Sequence, residues 1–369
     1  MPNPMPPKPV QRQQLRLVHV LASAEAGGAE QFFLRLMVAL AQRPGDALVY
    51  PVVRQGSWIS GELRRAGIRH ETASFSRWLP WGTRAKVAKV ARDWKAHAIT
   101  AWMKRASHCT PRVNMATVGR LGGYYDLKYF KGRVKNLVCN TPDICHYARE
   151  NGWPGDRVDY LPNFVPAPPP SWKNSRGDMR AFLKIPPNGI VLFMAARLHK
   201  VKGIDLAIEA LERLDPRYHL VVVGSGPEEK ALKAQAAQLK VADRVHWAGW
   251  QSNISGWASA ADVWLVPSRD EPLGNVVLDA WAHGIPVIAS RTKGPLHLIE
   301  HGVSGRLATT GSVADLANEI KEVTERRVLG MQIANGGTMA WRQKFTDGVV
   351  VDLWLEYYER LIRSEDNYE

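Results

Sequence analysis

Two carboxylates, Glu271 and Asp279, stand eight positions apart in the stretch SRDEPLGNVVLDAWAHGIPVIAS, residues 268–290. An apolar run ends just before the first of them, and a Gly-Asn step then opens a helical pattern carrying the second. The amides of Leu273, Gly274, Asn275 and Val276 fall at the start of that helix, where backbone N–H groups lack intrahelical acceptors and the helix dipole favours an anion such as phosphate. Glu271 would stand beside that phosphate, at the reacting group. Asp279 lies about one turn inside, at roughly 1.5 Å rise per residue, within reach of a vicinal diol such as a ribose. A ligand with a sugar, a phosphate and a ribose would touch both acids, which describes a nucleotide sugar. Taken singly, the same residues also suit a helix-start charge and a solvated helix position.

Other segments converge on that chemistry. AARLHKVKG (195–203) sets Arg197 and Lys202 after an apolar run. Two fixed cations there would stabilise the negative charge that develops on a departing diphosphate, without a metal. GGAE (27–30) offers Gly27 and Gly28, where the backbone can approach a ligand closely. The turn VVVGSGPE (221–228) is Gly-rich, and its Gly224 and Gly226 serve a tight turn as readily as a ligand. The three cysteines, Cys109, Cys139 and Cys145, show no CxxC spacing and form no ligand set with nearby histidines, so neither a metal nor a resident cofactor is expected.

The elements that must hold these residues alternate between strand and helix. Apolar runs at 15–23, 47–53 and 98–103 predict strands, and amphipathic patterns at 27–42, 61–67 and 83–96 predict helices. The run LPNFVPAPPPSWKNSRGD (161–178) holds five prolines and predicts a stiff linker. Alternation restarts with strands at 190–196, 218–226, 244–250, 261–268 and 286–290 and helices at 203–214 and 227–240, and an amphipathic helix closes the chain at 348–364. The pattern predicts an α/β protein with mainly parallel sheets covered on both faces. The domains expected are a loose tail (1–14), a first domain (15–163), the linker (164–178), a second domain (179–347) and a terminal helix with its tail (348–369). The cleft between two such domains is the expected ligand site.

GGAE, ARLHKVKG, VVVGSGPE with RVHWAGW, and above all EPLGNVVLDAWAHGIPVIAS followed by GP and LIEHGVSGRL, resemble the family 4 retaining glycosyltransferases of the two-domain GT-B type. The resemblance is most specific over residues 195–307 and extends toward enzymes of the bacterial envelope and lipopolysaccharide core. It implies two Rossmann-like domains facing each other across a cleft, with the C-terminal helix packing back on the first. It also implies metal-independent transfer with retention of configuration. The family's acidic pair, usually Glu-x7-Glu, falls on Glu271 for the donor sugar and Asp279 for the ribose. Its basic pair falls on Arg197 and Lys202, and its phosphate-binding amides on Leu273, Gly274, Asn275 and Val276. Asp279 is one methylene shorter than the usual acid. Many relatives carry a histidine in a first-domain loop near the donor sugar. The matching stretch here, NMATVGRLGGYYDLKYFKG (114–132), has none, and Arg120 and Tyr124 are assigned to the acceptor side instead.

Charge is divided unevenly. Residues 1–150 hold 24 Lys and Arg against 9 Asp and Glu, whereas residues 151–369 hold 25 against 26, so the net +14 resides in the first part. In the resembled fold that part binds the acceptor, which is therefore expected to be an anionic glycan or a lipid-linked one. SRWLPWGTRAKVAKVARDWK (76–95) adds Trp78 and Trp81 to a basic helix, a pattern that suits peripheral contact with an anionic membrane and equally an ordinary surface helix. No apolar stretch approaches the roughly 18–20 residues of a membrane span, and the proline-rich start lacks a signal-peptide core, so a cytoplasmic protein is expected, peripheral at the inner face of the cytoplasmic membrane. A nucleotide-sugar epimerase would share much of this pattern. The high isoelectric point alone would also allow nucleic-acid binding, but no such motif occurs and nucleic acid is not expected as a partner.

Overall fold

The computed structural model describes residues 14–25, 27–76 and 78–366, and it divides into two compact units. One comprises residues up to Pro162 together with the terminal segment from Val350. The other runs from Asn163 to Val349.

The first unit is built on seven strands: β1 (Leu15–Leu21), β2 (Ala47–Arg54), β3 (Glu71–Ala73), β4 (Ala98–Trp102), β5 (Ala116–Leu121), β6 (Asn136–Cys139) and β7 (Val158–Tyr160). They pair in parallel in the order β3-β2-β1-β4-β5-β6-β7. Strands buried on both faces read as continuous apolar runs, and β1 and β4 are of this kind. The helix Gly28–Ala41 covers one face with Phe32, Phe33, Leu36, Met37 and Leu40. The terminal helix Asp347–Asp366 covers another part of the sheet: Trp354 stacks on Trp102, and the Tyr358 hydroxyl lies 2.5 Å from Thr100 Oγ1. Arg43 ties the same helix down through Asp352, at 2.8 Å.

The second unit carries β8 (Ile190–Ala195), β9 (Tyr218–Val223), β10 (Val245–Gly249), β11 (Val263–Val266), β12 (Val287–Ser290) and β13 (Arg306–Ala308), parallel in the order β10-β9-β8-β11-β12-β13. Successive residues of β8 point to opposite faces. Leu192 and Met194 join a core with Ile208, Leu220 and Ile320, while Val191 and Phe193 join one with Trp264, Trp281 and Phe345. The helix Arg327–Lys344 lies close on the helix Asn275–Ala282 because Gly337 has no side chain: a Cβ there would come within 2.2 Å of the Trp281 ring. Trp281 Nε1 donates to Ser304 O at 2.7 Å, which fixes the indole.

The proline-rich segment is shorter than its sequence suggests. After Pro170 the chain forms a 3-10 turn (Trp172–Ser175) and then a helix (Arg176–Phe182). Arg176 and Arg180 bind Asp262 and the carbonyls of Ser259, Ala260 and Ala261. Those contacts, with residues some eighty positions away, hold in place a helix that Gly177 and Asp178 would leave weak on their own. Among the described residues no helix is long and apolar enough to cross a membrane.

Candidate active site

In open parallel sheets, ligands gather beyond the carboxyl ends of the strands, where the strand order reverses. In the second unit that point lies between β8 and β11. The segments leaving those two strands carry Lys202 and Glu271, and Lys202 Nζ meets Glu271 Oε2 at 2.6 Å. Glu271 is 7% exposed, and Ser268 Oγ donates to the same carboxylate at 3.5 Å. Its other oxygen accepts from the Gly274 amide at 3.4 Å. One predicted acid, one predicted cation and one predicted amide are thus a single hydrogen-bonded group.

The helix begins at Asn275, with Gly274 left-handed at φ 75°. That turn leaves the amides of Leu273, Asn275 and Val276 without an acceptor among the described residues. Gly294 lies against them: a Cβ there would stand 2.7 Å from the Gly274 nitrogen, and the Gly294 amide donates to Glu271 O at 2.8 Å. Asp279 is half-buried in the helix, and its carbonyl accepts from His283 Nδ1 at 2.7 Å. Arg197 is exposed, and among the described residues it makes no ion pair. Gly224 and Gly226 serve packing: a Cβ at either would collide with the carbonyl of Ala196 or Leu198, at 1.9 and 2.3 Å.

Several supports are invisible as motifs. Arg269 grips Asp205 with both terminal nitrogens, at 2.7 and 2.6 Å, and also donates to Lys200 O at 2.9 Å. This clamps the Glu271 loop onto the turn that bears Lys202. Asn163 Nδ2 donates to Asn275 Oδ1 at 2.9 Å. Such pairs, 64 and 112 positions apart in the chain, leave no local signal.

In the first unit the strand order reverses between β1 and β4. Gly27 is the extended residue before the helix Gly28–Ala41, and a Cβ on it would strike Glu30 Oε2 at 2.7 Å; Gly28 faces open space. Arg120 requires a correction. Its region reads as a strand-end loop in the sequence, but Arg120 is on β5 and only 1% exposed. Its guanidinium lies against the rings of Phe32 and Trp102, 4.8 and 4.6 Å from their centroids. Trp102 is its register partner on β4, so the two side chains share one face of the sheet. Burial pulls the Arg120 pKa down to about 10. Tyr124 is exposed, with its hydroxyl on Asp143.

Among the described residues no three His, Cys, Asp or Glu side chains are grouped to hold a metal ion.

The two parallel α/β sheets, of seven and six strands, have the fold of GT-B glycosyltransferase structures. The family model for glycosyl transferases group 1 matches residues 175–338. The chain is 32% identical over 355 residues to the lipopolysaccharide core biosynthesis glycosyltransferase LpsD of Rhizobium meliloti, covering 94% of this chain and 98% of that protein. LpsE of the same organism is 32% identical over 340 residues, covering 89% and 95%. Among solved structures, Anabaena HepE in complex with UDP superposes with a TM-score of 0.83 at 21% identity, over 94% of this chain and 100% of that one. The chain belongs to the group 1 glycosyltransferases.

Proposed function

We propose that this enzyme transfers a sugar from a nucleoside-diphosphate sugar to a hydroxyl of a lipopolysaccharide core acceptor, with retention of configuration and without a metal. The observation that carries this reading is the Lys202–Glu271 pair at the β8/β11 reversal, beside a helix start whose amides at Leu273, Asn275 and Val276 have no acceptor among the described residues. Full-length similarity to LpsD and LpsE supports the acceptor class, and the UDP and UDP-glucose complexes of HepE support the donor class.

In the reaction the bond between the anomeric carbon and the diphosphate oxygen breaks, and its electron pair leaves on the diphosphate. Lys202 and Arg197 stabilise that charge, and the amides of Leu273, Asn275 and Val276 hold the distal phosphate. The acceptor oxygen bonds to the anomeric carbon on the face the diphosphate leaves, and its proton passes to the departing phosphate oxygen. Glu271 binds the donor sugar and Asp279 the ribose. A thermal-shift panel of UDP, GDP, ADP and their sugars identifies the donor, because a ligand bound to the folded state raises apparent stability. Glu271→Ala and Asp279→Ala then weaken donor binding, and unchanged binding in both would remove the assignment. The anomeric proton coupling of the product reads retention, and full activity in EDTA reads metal independence.

The basic first unit takes an anionic acceptor, and the protein works peripherally at the cytoplasmic membrane. Supporting this, the helix Pro80–Asp93 buries Thr83, Val87 and Ala91 while Trp78, Leu79 and Trp81 remain 85%, 52% and 63% exposed at its start. Exposed indoles beside Arg84, Lys86, Lys89 and Arg92 match a headgroup layer. Co-sedimentation with phosphatidylglycerol vesicles but not with phosphatidylcholine vesicles is the expected result. Equal partition to both would undo this part.

A further inference from the structure

We infer that the carboxyl end of β5 and β6 holds an oxyanion cradle that reads a phosphate or carboxylate on the acceptor, a selectivity built from Arg120, Tyr125 and Asn140 around Gly122. This rests on the glycosyl-transfer reading above and deepens its acceptor side.

Three hydrogen-bonding groups converge where Gly122 has no side chain. The position a Cβ would occupy there is 3.3 Å from Arg120 Nη1, 3.8 Å from Asn140 Nδ2 and 3.9 Å from the Tyr125 hydroxyl. All three can donate. Arg120 and Asn140 are 1% and 6% exposed, so the floor of the cradle is buried, while Gly122, Gly123 and Tyr125 are only half-buried and form its open side.

The cradle is held rigidly. Phe32 and Trp102 both pack against the guanidinium. The Tyr125 amide donates to Gly123 O at 3.0 Å, and its carbonyl accepts from the Tyr147 hydroxyl at 3.0 Å. Asn140 precedes Thr141, which caps the helix Pro142–Glu150. Lys104 adds an exposed ammonium at the rim, 5.6 Å from the Tyr125 ring. A planar guanidinium fork suits bidentate oxyanions, and its cation–π partners keep it charged and oriented before the anion arrives. The glycine pair at 122–123 keeps the space open. A side chain at 122 would fill it.

The test compares acceptors that differ in one group: core oligosaccharide as isolated from a strain lacking this enzyme, the same core dephosphorylated, and the same core with its carboxylates reduced. Wild-type kcat/KM is expected to fall about 10- to 100-fold for whichever treatment removes the bound anion, the worth of hydrogen bonds to a charged group. The treatment that has this effect identifies the source. Gly122→Ala, which fills the cradle, and Asn140→Asp, which sets a carboxylate against Arg120, should compress that ratio to within about 3-fold. A second arm needs no acceptor: inorganic phosphate is titrated calorimetrically into the full chain saturated with UDP, and its binding should be lost in Asn140→Asp. Equal wild-type rates with all three acceptors, or variants that lose rate while keeping the full ratio, would overturn the cradle and leave these residues a packing role. Absence of transfer to any core would instead defeat the broader reading, and the phosphate titration would still decide the cradle.

Discussion

β1 and β8 hold equivalent places, each being the strand at which the order of its sheet reverses. Their surroundings differ in kind. The chain that leaves β8 meets the chain that leaves β11 through an ion pair, with Glu271 almost wholly buried and amides left open beside it. β1 carries a buried imidazole instead. His19 Nδ1 accepts from Trp102 Nε1 at 3.2 Å, Tyr358 lies on its other side, and Phe33 and Trp354 flank the ring. At its reversal the second sheet therefore keeps charge and open donors where a charged ligand is proposed to arrive, whereas β1 carries neutral, mutually satisfied polarity under a helix from the far end of the chain, and the buried charge of the first sheet, Arg120, sits on β5 instead. A buried charge is retained where partners compensate it, and a buried neutral network where none is required.

Substitutions on the two sides should separate activity from stability. Glu271→Gln and Lys202→Ala are expected to have the largest effect on turnover, about 10²- to 10³-fold in kcat, as for loss of a group preorganised toward developing charge. Initial rates at saturating donor check this. Their effect on the melting temperature should be smaller than that of Trp354→Ala, which opens a cavity between the terminal helix and the first sheet and should cost about 3–5 kcal/mol. Thermal unfolding measures the latter. If Trp354→Ala leaves stability unchanged, the terminal helix does not support the first sheet as described. Asp279→Ala follows, with donor KM raised about 10-fold and kcat little changed, as expected for one hydrogen bond to a charged group that acts equally in ground and transition states. A fall in kcat with constant KM would place Asp279 at the reacting centre rather than on the ribose.

The second unit was more legible in the sequence than the first. Its strand at 190–195 is an unbroken apolar run, the one at 218–223 is interrupted only by His219, and Lys202, Glu271 and Gly274 follow strand ends, so pattern and chemistry agree. β5 is different: Gly119 and Arg120 interrupt ATVGRL, and a fully buried arginine looks like a loop residue until its two aromatic partners, distant in sequence, are in place. The helix Arg327–Lys344 is masked by Gly330, Gly336 and Gly337, which lower helix propensity but allow close approach to Val323, Val303 and Trp281. The clamp of Arg269 on Asp205 and the contact of Asn163 with Asn275 depend on tertiary proximity alone. Spacing announces groups that share a local element and conceals those brought together from separate ones.

The smallest effect sharpens the contrast between the sheets most directly. Burial pulls the His19 pKa from 6.5 down to about 3, because a fully enclosed imidazolium would lose its hydration without gaining an anion. The unfolded chain therefore takes up a proton as pH falls below about 6.5, while the folded chain does not until about pH 3. The stabilisation is complete above the upper value and is lost progressively as pH falls toward the lower one, with a slope near 1.4 kcal/mol per pH unit for one proton. His19→Gln removes that proton uptake while keeping an amide that can accept from Trp102. Urea unfolding at pH 7, 6 and 5 should show wild-type stability falling more steeply than the variant by about this slope. Parallel curves would mean that His19 is protonated inside the first sheet, and that the neutral network under the terminal helix is charged after all.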